Sequence, residues 1–309
     1  MFRNATGLAH RKLYTSFRRY IYNSVLRHAI IGLFICLSIV GYFLCKKIDL
    51  NKPQYLHIRM FELNHGLDFA KEHPLLPIGI TTGYVTACYF GKKYMTNRPA
   101  YDLQMPLAYW NLFLSAFSFI GMMNTVPQLI YNLNAMSLTD NLCTEPKESF
   151  AKGACGLWVQ LFIFSKIPEL IDTFFIVARK KPLLFLHWYH HVTVLLFCWH
   201  SYATEASTGL FFVAMNYSVH AMMYGYYFLM AVNAKPKWLN PGLITASQIG
   251  QMVVGTSLCA MTYTLLDTKS CAVKRENVIA GGLMYGSYLY LFCEFACKRF
   301  LTKNRKKIV

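Results

Sequence analysis

Ionisable side chains inside long apolar runs are expensive to bury in a bilayer, and those that persist there mark function by default. Four such sets stand out. One run carries Lys166-x-x-Glu169-x-x-Asp172-Thr173, and the next opens with His187-x-x-His190-His191. A third holds Asn216-x-x-x-His220-x-x-Met223-Tyr224-x-Tyr226-Tyr227, and a fourth Thr245-x-x-Gln248-x-x-Gln251. Offsets of three and four residues put Lys166 with Glu169, His187 with His190 and His191, and Asn216 with His220 on common helix faces. The other faces are left to Leu, Ile, Phe and Val. The spacing predicts one polar chamber shared by four spans.

Two chemistries suit a His-x-x-His-His cluster. A di-iron centre of the kind used by membrane desaturases and hydroxylases needs about eight imidazoles in three boxes. Outside 187–191 the apolar runs offer only His220, since His10, His28, His57, His65, His73 and His200 fall at the terminus, in loops or at span ends. The ligand count falls short, and no metal site is expected. The second chemistry uses imidazole as nucleophile and base: it titrates near neutrality, attacks thioesters and forms a reactive acyl-imidazole. No P-loop or GxGxxG segment is present, so no nucleotide cofactor is expected.

Such residues need elements to position them, and the composition says which. Of 309 residues, 55 % are apolar (Tyr and Cys included), only 15 % are charged, and mean hydropathy is +0.31. This excludes a disordered, collagen-like or disulfide-dense secreted chain. A net charge of +17 would suit a nucleic-acid binder, but the basic residues lie between apolar runs, so no nucleic-acid partner is expected. The chain reads as an all-α polytopic membrane protein. Apolar runs at roughly 29–45, 75–90, 107–131, 155–177, 183–199, 207–232, 241–266 and 277–297 are candidate spans, and Pro127 and Pro168 lie inside two of them. Alternating the loops places 20 Lys and Arg on the side holding both termini and 10 on the other, with Lys166 inside a span. The bias puts both termini in the cytosol.

Cysteine placement agrees. Eight of ten cysteines lie in or beside apolar runs; Cys143 and Cys271 sit in loops on the expected lumenal side, where oxidising conditions favour one disulfide. Residues 1–50 read as a basic segment followed by an extra span resembling a signal anchor, and 51–309 as the main membrane domain. The ending Lys306-Lys307-Ile308-Val309 fits a dilysine retrieval signal, hence the endoplasmic reticulum membrane.

Taken together, the four motifs resemble the ELO family of very-long-chain fatty acid elongases, the 3-ketoacyl-CoA synthases of the elongation cycle. The His187-Trp-Tyr-His190-His191 form is similar to the subgroup acting on saturated, monounsaturated or branched chains. The resemblance implies seven helices, six closing an inverted barrel around a tunnel and one outside, to which residues 1–50 add a span. It implies an acyltransferase that joins long-chain acyl-CoA to malonyl-CoA, working with the 3-ketoacyl-CoA reductase, dehydratase and enoyl reductase of the cycle, and it is compatible with a homo-oligomer. By the same resemblance His190 is the acyl-accepting nucleophile and His220 its partner, with His187 and His191 shaping the site. Lys166, Glu169, Asp172, Asn216, Tyr224, Tyr227, Gln248 and Gln251 become candidate substrate-binding residues. Arg179, Lys180, Lys181, Lys235 and Lys237, at the expected cytosolic mouth, are candidates for CoA phosphates. A di-iron lipid oxygenase and a non-enzymatic lipid transporter stay open as alternatives.

Overall fold

The computed structural model describes residues 64–268 and 270–301. The expected span at 29–45 and the dilysine ending lie outside them. Helices follow one another throughout, and no strand occurs among the described residues. They are α1 (Asn64–Glu72), α2 (Leu76–Met95), α3 (Gln104–Ala135), α4 (Leu138–Cys143), α5 (Pro146–Ser149), α6 (Gly153–Ser165), α7 (Ile171–Ala178), α8 (Phe185–Ala203), α9 (Gly209–Ala231), α10 (Pro241–Leu265) and α11 (Arg275–Ala296). A π turn, Cys297–Leu301, closes the described part. Within this set, three helical stretches are long and apolar enough to cross a membrane: Gln104–Ala135, Pro241–Leu265 and Arg275–Arg299.

Helix α3 shows why these sequences fold inside out relative to a soluble bundle. Its buried positions step by three and four residues through Asn111, Leu114, Ser118, Gly121, Thr125, Gln128 and Asn132. They are mostly small or polar, whereas Tyr109, Phe113, Ile120, Ile130 and Leu133 face outward. Lipid gives no hydrophobic drive between helices, so close packing of small residues and internal hydrogen bonds hold them together. At Gly121 a Cβ would collide with the ring of Tyr217 from α9, and at Gly255 of α10 with Tyr285 of α11. Each glycine lets a buried aromatic ring lie against a neighbouring backbone.

Packing adjacency runs α3–α9–α10–α11–α8–α6 and back to α3, while α2 packs outside this circuit on α7 and α8. Pro127 sits inside α3 without ending it. Pro168 behaves differently. The 155–177 run, expected as one span, divides into α6, a 3-10 turn at Pro168–Leu170, and α7. Proline supplies no amide hydrogen and its ring crowds the preceding turn, which favours such a break. The break lies between Lys166 and Asp172, so Lys166 stands at the C-cap of α6, Glu169 in the turn, and Asp172 and Thr173 in α7.

Three helices end in the same device. Lys180, Glu205 and Asn233 have φ of 53°, 52° and 57° and follow α7, α8 and α9. Each is flanked by the paired backbone bonds of a Schellman cap, such as Lys181 N–H to Ile176 C=O and Lys180 N–H to Val177 C=O. Glycine usually occupies this place; the longer side chains here make contacts of their own. Lys180 Nζ donates to the carbonyls of Thr96 and Arg98, and Glu205 pairs with Lys71 of α1 and Lys147 of α5.

At the Glu205 end the loops are knitted together. Cys143 and Cys271 are disulfide-bonded. Beside them Ala272 N–H donates to Cys143 C=O, Ser207 N–H to Ala272 C=O, and Ser207 Oγ to Leu142 C=O. Asn132 Nδ2 donates to Ser149 Oγ at 2.8 Å, and Asn141 Nδ2 to Asn132 C=O at 2.9 Å.

Candidate active site

Inside the helices lies a cavity of about 620 Å³. Its wall includes His187, His190 and His191 from α8, Asn216, His220, Tyr224 and Tyr227 from α9, Gln248 and Gln251 from α10, and Asp172 from α7. Phe175, Ile176, Val219, Met252, Phe292 and Phe295 supply its apolar part, and Arg179 and Lys181 line it just past the end of α7. Each of the four motifs therefore contributes at least one side chain to one space.

The imidazoles are packed closely. Ring centroids of His187 and His191 are 4.5 Å apart, and those of His190 and His191 5.5 Å. The Tyr288 ring lies 5.1 Å from His190, and its hydroxyl donates to the His190 carbonyl at 3.2 Å. His220 meets the Tyr224 ring edge-on at 5.3 Å. His187 Nε2 is 2.9 Å from Thr173 Oγ1, which is 2.7 Å from the hydroxyl of Tyr84 on α2.

Asp172 has both oxygens engaged: Trp110 Nε1 donates to Oδ1 at 2.6 Å and Tyr224 OH to Oδ2 at 2.6 Å. A carboxylate held by two side chains is a rigid strut between α3, α7 and α9. Lys166 and Glu169 lie behind the cavity wall and do not line it. They are 2 % and 3 % exposed, and Lys166 Nζ donates to Glu169 Oε1 at 2.7 Å and to Asn216 Oδ1 at 3.3 Å. The pair therefore fixes Asn216 from the rear. Gln248 Nε2 rests 3.3 Å from the sulfur of Met223.

The basic candidates separate. Arg179 and Lys181 line the cavity; Lys180 and Lys235 do not. Lys180 is engaged as described above, and Lys235 Nζ donates to the carbonyls of Pro236 and Leu239. Among the described residues, no group of three or more His, Cys, Asp or Glu is arranged to hold a metal ion. The motifs do not single out Tyr84, Trp110 or Tyr288, which complete the site. A signal existed: a phenol or indole N–H inside an apolar run needs a buried hydrogen-bond partner.

Apolar helices around an imidazole-lined chamber define a helical membrane protein with a built site for nucleophilic or acid–base chemistry. The model of the ELO, or GNS1/SUR4, family matches residues 69–308. Very long chain fatty acid elongase 6 of Drosophila melanogaster is 40 % identical over 227 residues, 72 % of each chain. The elongase 6 of Gallus gallus is 35 % identical over 258 residues, covering 83 % of this chain and 96 % of that one. Fatty acid elongase 3 of Trypanosoma brucei brucei is 36 % identical over 277 residues, covering 81 % and 92 % respectively. The chain belongs to the ELO family.

Proposed function

We propose that this chain catalyses the condensing step of fatty acid elongation, joining a long-chain acyl-CoA to malonyl-CoA. The observation that carries the reading is one cavity lined by both His190 and His220, with cations at Arg179 and Lys181 and apolar side chains alongside. Cations suit CoA phosphates, and apolar walls suit an acyl tail.

In this reading the chemistry runs in two halves. His190 attacks the acyl thioester through its unprotonated nitrogen, the carbon–sulfur bond breaks, and CoA leaves as the thiolate, which takes up the proton given up by the acylated imidazole. Malonyl-CoA then loses CO2, and the electron pair released forms the enolate of acetyl-CoA. That enolate attacks the acyl-imidazole, the carbon–nitrogen bond breaks, and His190 leaves and regains a proton, giving 3-oxoacyl-CoA two carbons longer. His220 is the partner at the reacting carbonyl. Asn216, its Oδ1 engaged by Lys166, has its Nδ2 hydrogens for a substrate oxygen. His191, Tyr224, Tyr227, Gln248 and Gln251 contact substrate, and His187 shapes the site beside them.

The circuit of α3, α6 with α7, α8, α9, α10 and α11, with α2 outside it, supports the six-helix barrel plus outer helix that the family resemblance implies. In this reading residues 51–309 are the catalytic membrane domain, placed in the endoplasmic reticulum with the C-terminus and the Arg179 mouth cytosolic. The reductases and the dehydratase of the elongation cycle take the product onward.

Purified protein incubated with long-chain acyl-CoA and radiolabelled malonyl-CoA should yield labelled 3-oxoacyl-CoA. Folded protein that makes none across a range of chain lengths would favour a transporter. Iron near two atoms per chain would favour the oxygenase.

A further inference from the structure

The helix that stands outside the circuit reaches into the site through one hydroxyl. Tyr84, on α2, is buried at 8 % exposure, and its OH lies 2.7 Å from Thr173 Oγ1, itself 2.9 Å from His187 Nε2. Thr173 is unusual in this fold. Thr81, Thr125, Thr256 and Thr262 each turn their hydroxyl back to the carbonyl four residues earlier, as helical threonines commonly do. Thr173 instead bridges a phenol and an imidazole contributed by two other helices.

The direction of the chain follows from donor and acceptor strength. The neighbours of the Tyr84 oxygen are Thr173 and the Cys88 thiol one turn along α2. A phenol is the best donor of the set, and an unprotonated imidazole nitrogen is a far better acceptor than sulfur. With Tyr84 donating to Thr173 and Thr173 donating to His187 Nε2, each strong donor meets a strong acceptor, and the linked bonds polarise one another in one direction. The reverse chain would end with the phenol proton on sulfur.

We infer that Tyr84 is a positioning residue which, through Thr173, holds His187 as the tautomer protonated on Nδ1 and unprotonated on Nε2. The inference rests on the condensing-enzyme reading of the cavity. It leaves His187 with its one N–H on Nδ1 and its Nε2 tied to Thr173, so nucleophile and base work fall to His190 and His220. The outer helix thereby becomes part of the catalytic apparatus and not only a brace.

The test reads the tautomer directly. Protein labelled with 15N-histidine should show, at pH 8, one imidazole that disappears in His187→Gln and has a non-protonated Nε2. In Tyr84→Phe, which keeps the ring packed 6.2 Å from His191, Thr173 can accept from the imidazole. The Nε2 signal should then move toward the protonated range, and kcat should fall about tenfold with little change in KM, the worth of one buried hydrogen bond. Thr173→Ser should keep wild-type behaviour, Thr173→Val should lower kcat about as much as Tyr84→Phe, and the double variant should be no worse than either single one. A protonated Nε2 in the wild type, or an unchanged Nε2 signal in Tyr84→Phe, would overturn the assignment, as would additive losses in the double variant. A wild-type protein without condensing activity would defeat the functional reading instead, and the tautomer spectrum would still decide the relay.

Discussion

Lys166 and Glu169 illustrate how a membrane interior handles charge. Both are buried, the ammonium also lies 4.0 Å over the Phe162 ring, and Glu169 Oε1 accepts a second bond from Ser165 Oγ. Glu169 Oε2 has no hydrogen-bond partner, so the carboxylate depends on its cation. Lys166→Met should therefore destabilise by about 3–5 kcal/mol, the cost of stranding one member of a buried pair. Lys166→Met combined with Glu169→Leu should recover most of that loss, since apolar replacements of both partners are often neutral. Thermal unfolding in detergent checks this; equal loss in the single and double variants would contradict a charge-compensated pair. The double variant should still be a poor enzyme, because Asn216 loses the donor that orients it.

Helix-to-helix contact through glycine supplies the next test. The Tyr217 ring lies on Gly121 and is held by its hydroxyl donating to Trp158 C=O at 2.9 Å. Gly121→Ala should cost about 1–3 kcal/mol through overpacking, and adding Tyr217→Leu should relieve it. A variant as stable as wild type by the same unfolding measurement would mean that α3 and α9 are not in this close register. The apolar runs locating α2, α3 and α8 to α11 were legible in the sequence, because long apolar stretches and their polar interruptions are local properties. So was the convergence of His187, His190, His191, Asn216 and His220 on one space, because helical offsets place them on single faces. The division of 155–177 was not, since Pro127 and Pro168 look alike in sequence, and which proline breaks its helix depends on the neighbours that satisfy the freed carbonyls. Nor was the removal of Lys180 and Lys235 from the cavity, which depends on loop carbonyls brought near by tertiary folding. Tyr84 and Trp110 escaped the motif reading because their partners lie 89 and 62 residues away.

For the molecule as a whole, the two ends of the bundle differ. At one, the disulfide closes a separation of 128 residues, worth about 4–5 kcal/mol as an upper figure from loop entropy. Cys143→Ser should lower the unfolding temperature while leaving the cavity side chains in place, so a large fall in stability with near-normal initial rates is expected. The ion pairs at the same end add a pH response. The Lys71 hydrogen bond, with Lys147 nearby, holds the Glu205 carboxyl below the usual carboxylate range. A depressed folded-state pKa means the contribution is present above the unfolded value of about 4.3 and is lost as pH falls through the lower folded value. Unfolding scans between pH 7 and pH 3 should show this acid-sensitive component in the wild type and not in Glu205→Gln. At the other end, Arg179 and Lys181 line the cavity in which His190 is the proposed nucleophile. That claim is tested most directly by mixing the protein with long-chain acyl-CoA alone. Stoichiometric release of free CoA and an acyl adduct on the peptide containing His190 are expected, both absent in His190→Ala. Undiminished CoA release by His190→Ala, or an adduct mapping to another residue, would contradict it.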